Sequence, residues 1–170
     1  MIDKGRRGLF KALNPLSKDD KKEVFIRPPY NDNISLFHNE CPVCEDKPCV
    51  ASCEEEIIKI DKEGIPYLDF SKGGCTFCDE CAKICPKEVL GLENGSEKIK
   101  AVADISVISC MAWHKSICYS CKDVCLDDAI GFTGLFNPEV ESDKCTGCGF
   151  CYNVCPTNAI IIKSIYESED

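Results

Sequence analysis

The sequence predicts an α+β protein of short strands and short helices, in which cysteines organise the core. Three observations lead to this prediction. Sixteen of the 170 residues are cysteine, these cysteines fall into groups, and the text around the groups repeats after about 70 residues. The apolar fraction of 44% includes the cysteines. A core held by hydrophobic burial alone would therefore be thin, and ligand bonds or crosslinks are expected to supplement it.

The cysteines form four groups of four, and every cysteine belongs to one. The groups are Cys41, Cys44, Cys49 and Cys53; Cys75, Cys78, Cys81 and Cys85; Cys110, Cys118, Cys121 and Cys125; and Cys145, Cys148, Cys151 and Cys155. Groups two and four read C-x2-C-x2-C-x3-C-P and end at Pro86 and Pro156. Bacterial ferredoxins hold 4Fe-4S clusters with this spacing. All sixteen cysteines are therefore predicted ligands of four 4Fe-4S clusters.

Groups one and three are less regular. Their spacings are x2-x4-x3 and x7-x2-x3, and Glu54 and Leu126 stand where the other groups have proline. Each departure lengthens one gap without removing a ligand, so a full cluster is predicted in both groups. A labile or three-iron cluster is the alternative, and the wide loop after Cys110 is where we expect it.

Zinc is the main alternative metal, because structural zinc sites also use C-x2-C pairs. Two pairs suffice for zinc, however, and zinc gives no reason for the third cysteine and the following proline. Disulfides would require an oxidising compartment, and the sequence shows no secretory segment. His38 and His114 lie near cysteine groups, but four thiolates are already available in each group, so both are interpreted as ordinary polar residues.

The amino-acid sequence indicates two copies of one structural unit. "CVASCEEEII", from Cys49, corresponds to "CKDVCLDDAI", from Cys121, and "CAKICPKEVL", from Cys81, corresponds to "CYNVCPTNAI", from Cys151. Between the groups, residues 57–70 predict two short strands around Gly64, with a looser version at residues 130–140. The predicted organisation is a basic, partly disordered N-terminal arm (1–37), a ferredoxin-like unit (38–93), a linker (94–106), and a second ferredoxin-like unit with a short acidic tail (107–170).

The spacing also predicts how the cysteines pair. In two-cluster ferredoxins the last cysteine of one motif ligates the neighbouring cluster. The predicted tandem sets are Cys41, Cys44, Cys49 with Cys85; Cys75, Cys78, Cys81 with Cys53; Cys110, Cys118, Cys121 with Cys155; and Cys145, Cys148, Cys151 with Cys125. A nested arrangement, in which group one pairs with group four and group two with group three, remains the alternative.

Charge and motif content exclude several classes of function. Residues 1–30 carry eight Lys/Arg against four Asp/Glu, a net of +4, which leaves −13 on residues 31–170 of the total of −9. An acidic body is a poor partner for nucleic acid. No apolar run is long enough to span a membrane. No nucleotide-binding fingerprint, phosphate loop or acid/base pair accompanies the cysteines, so we expect an electron-transfer or accessory protein rather than an enzyme.

The N-terminus contains an arginine pair, Arg6 and Arg7, of the kind found in twin-arginine export signals. An uncharged apolar stretch should follow such a pair. Instead the chain carries alternating charges at residues 18–23. We therefore expect an uncleaved cytoplasmic segment that is either a solvated tail or a docking arm.

Three parts of the sequence together carry a family resemblance. They are Arg6-Arg7-Gly8-Leu9, Ile26-Arg27-Pro28-Pro29-Tyr30, and the four cysteine groups ending "CTGCGFCYNVCPTNAI". The chain resembles, over nearly its whole length, the ferredoxin-type accessory proteins of the periplasmic nitrate reductase system, the NapF type. The resemblance implies a cytoplasmic protein that assists maturation of the reductase catalytic subunit before export, by cluster assembly or redox maintenance.

The implied partner is the precursor form of that catalytic subunit, together with other redox proteins. Residues expected to dock it are Arg6, Arg7, Arg27, Pro28, Pro29 and Tyr30. The alternative function is a general ferredoxin that relays electrons within a nitrate respiratory chain. Because a relay needs only the clusters, we expect a chain beginning near Ile34 to keep its cluster spectrum under either hypothesis.

Overall fold

The computed structural model describes residues 25–93, 95 and 98–166, and in them the chain forms short helices and short strands, as the sequence predicts. The helices are α1 (Ile34–Glu40), α2 (Pro48–Ala51), α3 (Glu80–Lys83), α4 (Ser120–Asp123) and α5 (Phe150–Asn153). The strands are β1 (Ile58–Ile60), β2 (Pro66–Leu68), β3 (Ala101–Ile105), β4 (Ile130–Thr133), β5 (Phe136–Val140) and β6 (Ile160–Ser164). No helix among the described residues is long and apolar enough to cross a membrane.

The first half of the protein, residues 25–93, is built around the hairpin of β1 and β2. The two strands pair antiparallel, from Ile58 opposite Leu68 to Ile60 opposite Pro66. Asp61 shapes the turn between them, because its Oδ1 accepts the backbone N–H groups of Glu63 and Ile65, each at 2.9 Å. Gly64 completes the turn with φ at +82°, a conformation that glycine adopts without steric cost.

The segment before α1 packs into this first half, although the sequence predicts a separate arm up to residue 37. The carbonyl of Ile26 accepts the N–H of Leu68 at 2.8 Å, and the carbonyl of Tyr30 accepts the N–H of Gly91 at 3.2 Å. Arg27 is 5% exposed and lies 3.0 Å from both the Asp61 carboxylate and the Pro66 carbonyl. The segment is ordered because the edge of β2 offers free backbone groups and Asp61 offers a buried counter-charge. Residues 1–24 lie outside the described residues.

The second half, residues 98–166, contains two antiparallel strand pairs. β4 and β5 form a hairpin, and β3 pairs with β6 from Ala101 opposite Ser164 to Ile105 opposite Ile160. The predicted linker 94–106 therefore includes a strand, which the sequence does not indicate. The reason lies in the alternation of β3, which buries Ala101, Ala103 and Ile105 and leaves the residues between them on the other face, as a half-buried strand does.

The ends of the two halves are closed in similar ways. In the second half the N–H of Ser106, after β3, donates to the carbonyl of Ala159 at 2.8 Å. In the first half the side-chain amide of Asn31 donates to the carbonyl of Val89 at 2.5 Å. Val89 and Ala159 each lie four residues after the last cysteine of a group. The side chain of Asn31 thus makes in the first half the contact that the main chain just after β3 makes in the second half.

The two halves share one apolar cluster. Ile99 and Ala101, from the second half, pack with Ile57, Leu68 and Phe70 of the first. The N–H of Ile99 also donates to the carbonyl of Thr146 at 3.0 Å, and the hydroxyl of Tyr166 donates to the carbonyl of Asn31 at 3.3 Å. The described residues therefore form one packed body in which the cysteine groups of the two halves come together.

Candidate metal centres

The sixteen predicted ligands come together as four quartets. We name them centre 1 (Cys41, Cys44, Cys49, Cys85), centre 2 (Cys53, Cys75, Cys78, Cys81), centre 3 (Cys110, Cys118, Cys121, Cys155) and centre 4 (Cys125, Cys145, Cys148, Cys151). Centres 1, 2 and 4 each line a cavity. In centre 3 the thiolates of Cys118, Cys110 and Cys155 act electrostatically on Cys121. Each quartet takes three cysteines from one group and the last cysteine of the neighbouring group, which is the tandem arrangement.

Four one-turn helices place the third cysteine of every group. Cys49, Cys81, Cys121 and Cys151 are each the second residue of their helix, in α2, α3, α4 and α5. Three of these helices begin after a residue in the left-handed conformation: Lys47 at φ 43°, Asp79 at 60° and Gly149 at 85°. Before α4, Tyr119 has φ −123° instead. The wide loop of group three therefore enters its helix by a different route from the other groups.

A common turn follows the last cysteine of every group. The residue three positions later has positive φ in each case: Glu56, Glu88, Asp128 and Asn158, at 53°, 53°, 48° and 51°. Its N–H donates to the carbonyl of the cysteine, at 3.0 Å for Glu56 and 3.2 Å for the other three. This turn occurs with and without the proline that distinguishes groups two and four. Sequence reasoning missed it, although Asp128 and Asn158 were a usable signal, because Asp and Asn adopt positive φ more often than most residues.

The same turn directs backbone amides at two cysteine sulfurs. The N–H of Ala129 lies 3.3 Å from Cys125 Sγ, and the N–H of Ala159 lies 3.2 Å from Cys155 Sγ. Burial raises the pKa of Cys155, but the amides of Thr157 and Ala159 and the hydroxyl of Thr157 outweigh it, so the net effect lowers that pKa. Hydrogen bonds to a sulfur favour the thiolate, which is the form that binds metal.

Burial opposes the ionisation of seven further thiols, those of Cys41, Cys49, Cys75, Cys81, Cys121, Cys148 and Cys151, and raises their pKa values. Burial, with the Cys49 and Cys85 thiolates adding to it, raises the pKa of Cys41 to about 11. Burial and the neighbouring thiolates likewise raise the pKa of Cys81 and of Cys151 to about 12. Crowded, buried thiols of this kind are unfavourable as free thiolates and become favourable around a positively charged core. The donor set therefore fits an iron–sulfur cluster.

The centres lie next to each other within each half. Cys49 of centre 1 raises the pKa of Cys81 in centre 2, after burial and Cys75. In the second half Cys121 of centre 3 similarly adds to the raised pKa of Cys151 in centre 4, after burial, Cys148 and Cys145. Among residues 25–93, 95 and 98–166, no group of three or more His, Cys, Asp or Glu side chains is arranged to hold a metal ion. The quartets of centres 1, 2 and 4 line cavities instead.

The long gap in group three is filled by a loop that packs on β5. Trp113 Nε1 donates to the carbonyl of Pro138 at 3.1 Å, and the ring packs against the apolar cluster of the second half. The imidazole of His114 lies 2.8 Å from the carbonyl of Ile108, and His38 lies 3.9 Å from the Glu63 carboxylate. Trp113 thus anchors the loop that carries Cys110, and both histidines have partners other than the cysteines.

Comparison with other proteins agrees with these features. The family model described as "4Fe-4S binding domain" matches residues 138–161. A ferredoxin-type protein NapF from Haemophilus influenzae is 36% identical over 171 residues, covering 96% of this chain and 93% of the relative. NapF from Escherichia coli K12 is 30% identical over 172 residues, covering 97% and 98%. A ferredoxin-type protein NapG from Escherichia coli K12 is 28% identical and covers 82% and 70%.

The short helices and strands, the cysteine groups and the 4Fe-4S binding domain define a ferredoxin-type protein. The two NapF relatives match over nearly the full length of both chains. The chain belongs to the NapF family of ferredoxin-type proteins, which confirms the resemblance found in the sequence.

Proposed function

We propose that the protein binds one 4Fe-4S cluster at each of the four centres, as two tandem two-cluster units, and that the sixteen cysteines are the ligands. The observation that carries this proposal is the composition of the quartets, because each borrows the last cysteine of the neighbouring group. A bound cluster stores and releases single electrons with little ligand movement. The chain supplies the thiols, directs amides at Cys125 and Cys155, and surrounds the sulfurs with apolar side chains.

The proposed biological role is assistance, in the cytoplasm, to the maturation of the periplasmic nitrate reductase catalytic subunit. Membership of the NapF family supports this role, and the acidic body argues against nucleic acid as a partner. The second candidate is a ferredoxin that carries electrons within a nitrate respiratory chain. The cysteine quartets do not distinguish the maturation role from the electron-carrier role, because both roles require clusters.

Only part of the N-terminal arm remains available to dock the catalytic subunit. Arg27 and Tyr30 are 5% and 2% exposed, and Pro28 and Pro29 are also buried. These four residues hold the first half together, so they are not a free docking surface. A chain that starts near Ile34 would lose these four residues. We therefore do not expect such a chain to keep its cluster spectrum. Arg6 and Arg7 lie outside the described residues and remain the proposed docking residues.

The deciding experiment is anaerobic binding of the iron-loaded full chain to the catalytic subunit. Its cofactor-free precursor and its mature form are compared as targets. A maturation factor prefers the precursor, whereas a carrier prefers the mature enzyme and is reoxidised on contact. The variant Arg6→Ala/Arg7→Ala should weaken precursor binding at least tenfold, a loss of about 1.4 kcal/mol. Lys21→Ala/Lys22→Ala removes the same charge and serves as the control. Equal weakening of precursor binding by both variants would show a general effect of charge and contradict specific docking by Arg6 and Arg7.

A further inference from the structure

The two halves meet where a ligand of centre 2 contacts a ligand of centre 4. The backbone N–H of Cys75 donates to the carbonyl of Cys148 at 2.7 Å. Cys75 lines the cavity of centre 2, and Cys148 lines that of centre 4. The contact is between main-chain atoms of the ligands themselves, so no side chain or solvent layer separates the two ligand loops at this point.

Glycine permits this close approach on both sides. A Cβ placed on Gly74 would lie 2.6 Å from the Phe150 nitrogen and 2.8 Å from the Cys148 carbonyl oxygen. A Cβ on Gly149 would overlap the ring of Phe70. The side-chain amide of Asn153 adds a further link, donating to the carbonyl of Lys72 at 2.8 Å. Residues 72–75 and 148–153 therefore form a tight junction that a single methyl group would disturb.

Within each half the centres are also joined. Cys49 of centre 1 and Cys81 of centre 2 pack against the same two apolar clusters of the first half. Cys121 of centre 3 and Cys151 of centre 4 are both buried in the apolar cluster of the second half. The shared apolar clusters within each half and the Cys75–Cys148 hydrogen bond between the halves thus link the centres in the spatial order 1, 2, 4, 3. This order differs from their order along the chain.

We propose that the four centres form one continuous electron path in the order 1, 2, 4, 3, with the Cys75–Cys148 contact as the junction between the halves. This rests on the proposed binding of four clusters. With clusters bound, one electron would pass at the junction from a reduced cluster held at centre 2, which would be oxidised, to an oxidised cluster held at centre 4, which would be reduced. No bond forms or breaks and no proton is transferred. Centres 1 and 3 are then the two ends of the path.

The test uses full-length variants that retain two clusters, reduced with dithionite and examined by low-temperature electron paramagnetic resonance. Replacing Cys41, Cys44, Cys110 and Cys118 with alanine leaves centres 2 and 4. Replacing Cys41, Cys44, Cys145 and Cys148 leaves centres 2 and 3. The first variant should show a spectrum split or broadened by spin–spin interaction, and the second should show the sum of two isolated signals. Interaction in the second variant, or isolated signals in both, would overturn the proposed order.

A second measurement keeps all sixteen cysteines and covers the case in which those variants do not fold. Gly74→Ala should lessen the interaction broadening of the fully reduced protein while its iron content stays the same. Gly131→Ala is the matched control, because the added Cβ there meets only a flexible Glu141 oxygen at 3.8 Å. Identical spectra for both variants and the wild-type protein would contradict the junction. Fewer than four clusters in the wild-type protein would instead contradict the proposed function.

Discussion

At the scale of single residues, the ion pair of Arg27 and Asp61 is the interaction whose removal should matter most for the first half. The two side chains are 5% and 3% exposed and lie 3.0 Å apart. We predict that Arg27→Met lowers the stability of the protein by about 3–5 kcal/mol, because Asp61 is left buried without its counter-charge. Anaerobic thermal unfolding measures this. Lys72→Met is the control, since its pair with Glu56 is well exposed, and a loss under about 1 kcal/mol is expected there.

The same pair predicts how stability depends on pH. Burial raises the pKa of Asp61, but the Ile65 amide, Arg27 and the Glu63 amide outweigh it, so the net pKa is lowered. A lowered carboxyl pKa stabilises the fold above the ordinary value and loses that contribution as pH falls through the lowered value. In Arg27→Met burial acts with less opposition, so the melting temperature should begin to fall at higher pH than in the wild-type protein. Parallel profiles between pH 3 and 6 would show that Arg27 does not hold this pKa down.

At the scale of elements, the last cysteine of every group lies in the neighbouring quartet, and a common turn follows it. Cys53 follows α2 of group one, yet it lies with the cysteines of group two. We therefore predict that Cys53→Ala removes the cluster proposed at centre 2, and that alkylation followed by mass spectrometry then finds Cys75, Cys78 and Cys81 reactive. The matched variant Cys125→Ala should expose Cys145, Cys148 and Cys151. Reactivity of the fourth group in Cys53→Ala would indicate nested pairing instead.

At the scale of the whole molecule, net charge sets the direction of the reduction potentials. The chain carries −9 before clusters bind. In the proposed four-cluster protein, sixteen thiolates around four cores of about +2 would add roughly −8 and bring the net charge to about −17. Each added electron meets this negative charge, which favours low potentials. We predict midpoints below zero for most clusters in an anaerobic potentiometric titration, and positive midpoints for all four would refute the argument.

Sequence reasoning reached the cysteine grouping, the hairpins and the family because these depend on local spacing. We can recognise the cysteine spacing within a group, a glycine at a turn and an internal sequence repeat without knowing which residues pack against them. Reasoning failed where the partner is distant in the chain. The sequence assigns β3 to a linker because its partner β6 lies about 60 residues later in the chain. It assigns Arg27 to a docking surface because Asp61 gives no local sign of pairing with it.

By itself, then, the sequence determined the number of quartets, the thiolate chemistry they offer and the NapF family, since each of these follows from residue type and short-range spacing. Only the tertiary structure decided that the segment from residue 26 is part of the first half, and that Cys75 of centre 2 touches Cys148 of centre 4. The physical reason is that a backbone hydrogen bond between segments more than 70 residues apart has no sequence signature. It depends on glycines, at positions 74 and 149, whose role becomes visible only when the opposing surface is present.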